Sequence, residues 1–127
     1  MSLRALGLAS LAASIIAAPA LAHHSTAMFD QAKVTSLTGT VKQFEWINPH
    51  VWLHLTIANA SGQAATWSFE GGSPVQLTQL GWKPESFHVG DKVEIGFRPM
   101  KDGSRGGQIM NVTLTNGQKV CSNRGCG

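Results

Sequence analysis

Residues 51–57 alternate without a break: Val51, Leu53, Leu55 and Ile57 are apolar on one side, and Trp52, His54 and Thr56 fall on the other. Successive strand side chains point to opposite faces, so the pattern predicts a strand with one buried face. After polar residues 59–63, Ala65, Trp67 and Phe69 alternate against Thr66, Ser68 and Glu70, which predicts its hairpin partner. Upstream, residues 34–46 are rich in Val, Thr, Phe and Trp and end at Ile47-Asn48-Pro49-His50, where the Asn-Pro step favours a turn. Downstream, Ser73 before Pro74 reads as an N-cap and first helical turn, residues 75–80 as a short helix, and Gly81 as its stop. Strands resume after Gly90-Asp91 with Val93, Ile95 and Phe97. Residues 101–107 read as a loop, Met110, Val112 and Leu114 alternate again, and Asn116-Gly117 turns the chain into residues 119–121.

Three strands, a helix, two strands and a short extra one predict an all-β domain with one short helix: a small OB-like, five- or six-stranded Greek-key barrel. A two-sheet sandwich is the alternative, for which the strands are few. A one-residue slip would flip every side chain, so the hairpin register must keep one face apolar, with Leu53 opposite Phe69 and Leu55 opposite Trp67. The other face then carries Trp52 opposite Glu70 and His54 opposite Ser68, with His50 just beyond on the same side. In OB barrels this surface, with the loops after strand 1 and between strands 4 and 5, is the usual binding site; here those loops are residues 47–50 and 101–107.

The first residues have a different character. Arg4 gives a small positive region, residues 5–18 are uncharged and rich in Ala, Leu and Ile, and Ala20-Leu21-Ala22 is a small-residue cleavage site. Together they predict a secretory signal peptide over residues 1–22, an OB-like domain over 23–120 and a Cys-containing tail over 121–127, with periplasmic localisation. The apolar stretch is too short for a membrane span of about 20 residues. Removing residues 1–22 leaves 105 of 127 residues and takes away Arg4, so the formal charge falls from +3 to +2. A chain of that size buries one core, and its compartment excludes nucleic acid as a partner.

Cleavage after Ala22 would expose His23, whose amine and ring nitrogen can chelate one metal ion together, with His24 beside it. A third nitrogen would complete a copper-type site. His50 and His54 share a face, but four residues of strand span roughly 13 Å, so only one can join His23. His50 is the better placed, on a turn near Glu70, which would orient it from behind. The competing reading leaves His23 and His24 as a frayed end and His50 as a cap of its turn. Cys121 and Cys126 form an even pair in an exported chain, which predicts a disulfide closing a short loop. Trp46, Trp67 and Trp82 are expected in the core; Trp52 points outward, either to stack a ligand near Lys101 and Arg105 or to be covered by residues 23–33. No Ser elbow, Gly-rich phosphate loop or acid pair at glycosidase spacing is legible.

Ala22-His23-His24-Ser25, Phe29-Asp30, Gly39-Thr40-Val41, Trp46-Ile47-Asn48-Pro49-His50, Trp67-Ser68-Phe69-Glu70, Gly81-Trp82 and Gly90-Asp91, in that order, resemble a family of short secreted bacterial proteins known as domain-of-unknown-function family 6152. The resemblance spans the mature chain and implies a periplasmic domain that starts with a His-His pair and carries an Asn-Pro-His turn. It brings no established activity, and the Cys-containing tail departs from its pattern as a lineage-specific addition.

The residues support a non-enzymatic periplasmic binding domain that holds a copper-like ion through His23, His24 and His50. The alternative from another class is an OB-type recognition module for a glycan or peptide, built on Trp52, His54, Glu70, Lys101 and Arg105. A structural protein of the envelope is the third reading.

Overall fold

The computed structural model describes residues 26–124 and Cys126. A 3₁₀ turn, Thr26–Met28, leads into β1 (Thr35–Glu45), β2 (Trp52–Ala58), β3 (Ala64–Glu70), α1 (Pro74–Gln79), β4 (Lys92–Pro99), β5 (Gly106–Leu114) and β6 (Lys119–Cys121). The sheet order β3-β2-β1-β4-β5-β6, closed by an additional pairing of β3 with β5, makes a five-stranded barrel with β6 attached outside it. This connectivity is the OB-like Greek key expected from the strand and helix order.

The hairpin register is the one that hydrophobic alternation demands: Leu53 faces Phe69, Leu55 faces Trp67, Trp52 faces Glu70 and His54 faces Ser68. The helix is set by its first residues. The Ser73 hydroxyl accepts from the Gln76 amide at 3.2 Å, Pro74 fills the first turn, and Gly81 at φ +90° turns the chain away. Leu77 on its inner face is fully buried with Trp82, Phe87, Phe69 and Phe97. Of the expected core tryptophans only Trp82 is fully buried; Trp46 and Trp67 pack partly buried against the cluster. The Trp82 indole donates to the Cys121 carbonyl at 2.8 Å, and Cys121 and Cys126 are joined by a disulfide, so the tail is fastened to the barrel wall.

β1 carries an irregularity that alternation alone does not reveal. Its pairing with β2 steps from Val41↔Leu55 to Gln43↔His54, so Lys42 is an extra residue, a β-bulge. Before it Val41 is buried; after it Phe44 and Trp46 turn to the core while Gln43 and Glu45 face outward. Carried on without the bulge, the parity would send Glu45 inward and both aromatic rings out.

Residues 101–107 were expected to form a loop, but Gly106 and Gly107 already belong to β5. Gly106 lies beside Ser68, Gly107 beside Phe69 and Gln108 beside Glu70, in parallel. Only glycine permits so close an approach: an added Cβ would stand 2.1 Å from the Ser68 carbonyl oxygen at Gly106, and 2.2 Å from that of Arg98 at Gly107. A strand start without side chains has no alternation to read, so composition mistook it for a turn.

Gly107→Ala tests the close approach of β5 to β4 without a backbone-angle penalty, because Gly107 lies outside the positive-φ set. We expect a loss of about 2–3 kcal/mol in urea unfolding. Gly62→Ala, at a loop position with φ +80° and open space around it, should lose only about 1 kcal/mol.

Candidate functional site

Glu70 ends β3 and is 6% exposed, the one buried charged side chain among the described residues. A carboxylate out of water needs a partner with hydrogen-bond geometry, and His50 supplies it, with Nδ1 2.5 Å from Glu70 Oε1. The ring reaches Glu70 because the next residue is pinned. Val51 is fully buried, its amide donates to the Gly72 carbonyl at 2.9 Å, and its carbonyl accepts from the Gly71 amide at 2.8 Å. The turn before β2 is thereby tied to the end of β3. His50 and Glu70 border a cleft of about 170 Å³ together with Thr26, Phe29, Gln108 and Ser122. The side-chain carbonyl oxygen of Gln108 is buried without a hydrogen-bond partner among the described residues.

The chain ahead of β1 forms one wall of this cleft. Phe29 is 5% exposed and bridges to Met100, the Asp30 amide donates to the Pro99 carbonyl at 2.8 Å, and the Lys101 amide donates to the Met28 carbonyl at 3.0 Å. Arg98 adds a bond to the Gln31 side chain at 2.6 Å. This arm also covers Trp52 in part. Met28, Phe29, Trp52, Ser68, Glu70 and Arg105 line a second cleft of about 210 Å³, separated from the first by Phe29 and Glu70. Its rim is the loop before β5, kept tight by Asp102, which accepts from the Ser104 hydroxyl at 2.6 Å and amide at 2.9 Å; these bonds hold its carboxyl below the usual carboxylate range.

His54 has a different environment. Its Nε2 lies 2.9 Å from Glu45 Oε2 and its Nδ1 2.8 Å from Ser68 Oγ, and Glu45 Oε1 accepts from Gln43 Nε2 at 3.0 Å. The ring lies nearly parallel to that of Trp52, at 8° and 6.2 Å between centroids. Both ring nitrogens are engaged, so His54 is not placed to serve as a metal ligand.

Of the residues singled out from sequence, the fold joins His50 to Glu70 in one cleft and Trp52, Glu70 and Arg105 in the other. Lys101 is exposed and borders neither cleft, and His88 is exposed beside Asp91. His23 and His24 lie outside the described residues. Among the described residues, no group of three or more His, Cys, Asp and Glu is arranged to hold a metal ion. Sequence reading placed Ser68 opposite His54 and missed Glu45 as the ring's second partner. The signal for Glu45 was the parity change between Val41 and Phe44.

A family model described as "Family of unknown function (DUF6152)" matches residues 11–111. A crystal structure of the mitochondrial single-stranded DNA binding protein Rim1 from S. cerevisiae is similar over 65% of this chain and 94% of that chain, at 15% identity and a TM-score of 0.47. No curated protein matches this chain.

Because Phe29 anchors the arm, Phe29→Ala should release it while the barrel stays folded. The loss should be about 3 kcal/mol or somewhat more. Amide exchange should accelerate at Asp30 and Lys101, whose bonds tie the arm down, and remain slow in β2 and β4.

Proposed function

We propose that this chain, which belongs to the DUF6152 family, is a periplasmic metal-binding domain. In this reading it holds one copper-type ion where its processed N-terminus meets His50. The observation that carries the reading is the buried Glu70 carboxylate, 2.5 Å from His50 Nδ1. Metal-binding histidines characteristically give their second nitrogen to a carboxylate, which fixes the tautomer and raises ligand basicity. With Nδ1 on Glu70, the metal bond would be made by Nε2.

Chain length supports the same site. Thr26 borders the His50 cleft, and an extended chain advances about 3.3–3.6 Å per residue, so two or three residues ahead of Thr26 are a reach of at most roughly 7 or 11 Å. Cleavage after Ala22 would give His23 a free amine next to its imidazole, and amine, ring and His50 would form a nitrogen-rich set. Among divalent ions such a set favours copper over nickel and zinc. The unpartnered Gln108 oxygen and the Glu70 carboxylate suit a cationic guest. Export is consistent with the Cys121–Cys126 disulfide, and among the described residues no helix is long and apolar enough to cross a membrane. Recognition of a glycan chain is less well supported. At about 210 Å³ the Trp52 cleft falls below the roughly 300–1,000 Å³ usual for ligand sites.

Protein exported by its native host should have an intact mass that starts at His23 and should bind one Cu(II) with nitrogen-dominated electron paramagnetic resonance. A single Gly added before His23 separates amine from ring and should weaken binding greatly. His50→Ala should weaken it by roughly 10-fold or more, and Glu70→Gln by about 10-fold through loss of the orienting bond. His88→Ala, far from the cleft, should have no effect. Copper binding that is indifferent to both the Gly extension and His50→Ala would refute the site.

A further inference from the structure

Three side chains on three neighbouring strands form a continuous hydrogen-bonded line across the outer face of the barrel: Glu45 on β1, His54 on β2 and Ser68 on β3. We propose that they form an acyl-transfer site in which Ser68 is the nucleophile, His54 its base and Glu45 the group that orients the base. This activity is independent of the metal reading.

The geometry has the required connectivity. A carboxylate only accepts, so the His54 nitrogen facing Glu45, at 2.9 Å, carries its hydrogen there. In the neutral ring the other nitrogen, Nδ1, then accepts from the Ser68 hydroxyl at 2.8 Å. The ring is turned relative to the serine-protease arrangement, in which Nε2 faces the serine, but such sites are defined by geometry and role, and either nitrogen can take the proton. Gln43 occupies the second Glu45 oxygen at 3.0 Å, and Trp52 lies parallel to the imidazole, so both partners of Ser68 are held in place. The bulge at Lys42 is a second, separate observation. It puts Glu45 on the outer face with His54, and bulges beside active sites commonly redirect a side chain in this way.

Ser68 also faces somewhere a substrate can go. It borders the cleft of about 210 Å³ whose other walls include Met28, Phe29 and Trp52, with Arg105 at the same cleft. The apolar walls suit a short acyl chain. Arg105, in no ion pair among the described residues, is the cation available to an oxygen that gains negative charge. The substrate class is therefore a small ester. Ser68 Oγ attacks the ester carbonyl while its proton moves to His54 Nδ1, and Glu45 stabilises the imidazolium. The carbon–oxygen bond to the alcohol breaks as that oxygen takes the proton from Nδ1, leaving acyl-Ser68. Water then gives a proton to Nδ1 and its oxygen bonds to the acyl carbon. The bond to Ser68 breaks and the proton returns to Oγ, for a net conversion of ester and water to acid and alcohol.

The test is covalent labelling of the mature, exported protein by a fluorophosphonate, read by peptide mass, with hydrolysis of p-nitrophenyl acetate alongside. We expect one adduct, on Ser68, unchanged by a metal chelator, and no adduct there in Ser68→Ala. His54→Gln should slow labelling and hydrolysis by 100-fold or more. Glu45→Gln, which keeps size and surface, should slow both by at least 10-fold and shift their pH profile. It serves as the second variant if His54→Gln fails to fold. Labelling of Ser68 no faster than of the exposed Ser61 would overturn the proposal. So would a rate unmoved by Glu45→Gln in a folded protein, which would leave the line of bonds a purely structural one.

Discussion

Closure of the barrel depends on two residues without side chains. Where β3 and β5 run parallel, Gly106 lies so close to the Ser68 carbonyl that no Cβ fits, and Gly107 lies as close to the Arg98 carbonyl of β4 on the other side. One wall of both clefts follows from that approach. It puts Glu70 beside Gln108, seals one edge of both clefts, and turns an open sheet with an exposed edge into a barrel. A side chain at either glycine would push β5 away and take the cleft floor with it.

The barrel also shows two solutions to setting a carboxylate near imidazole. Glu70 is buried, so its charge depends on His50, and losing the ring would strand an anion in the wall. Glu45 is only part-buried and shares its charge between His54 and Gln43, so its network limits ring motion more than it compensates burial. His50 stands at a turn where chain from elsewhere can approach. His54 is held within its own sheet by Glu45 and Ser68. The two histidines sit four residues apart on one face, the first bound to the end of β3 and the second within the line of bonds across β1, β2 and β3.

Much of this was legible in sequence because period-2 alternation is a physical necessity for a half-buried hairpin. It yielded the β2–β3 register, the outward placement of Trp52 and His54, and the position of Glu70 opposite Trp52. The helix was readable from Ser73, Pro74 and Gly81 because capping is local chemistry. The missing pieces are those that alternation cannot encode. Gly106 and Gly107 have no side chains to alternate, and the bulge at Lys42 interrupts the period. Pairing of His54 with Glu45 is a diagonal contact between strands that one strand's pattern does not contain. The docking of Phe29 against Met100 joins segments far apart in the chain.

The bulge has a further consequence for how this strand tolerates change in length. Lys42 is exposed and bonds only to Thr66 through its side chain, at 2.9 Å. A one-codon deletion there would leave a regular strand in which Val41, Phe44 and Trp46 still face inward and Gln43 and Glu45 outward. An additional codon would give a regular strand of the same parity but slide the rest of β1 by two residues against β2. In an alignment, a relative one residue shorter in this region would have its gap at position 42.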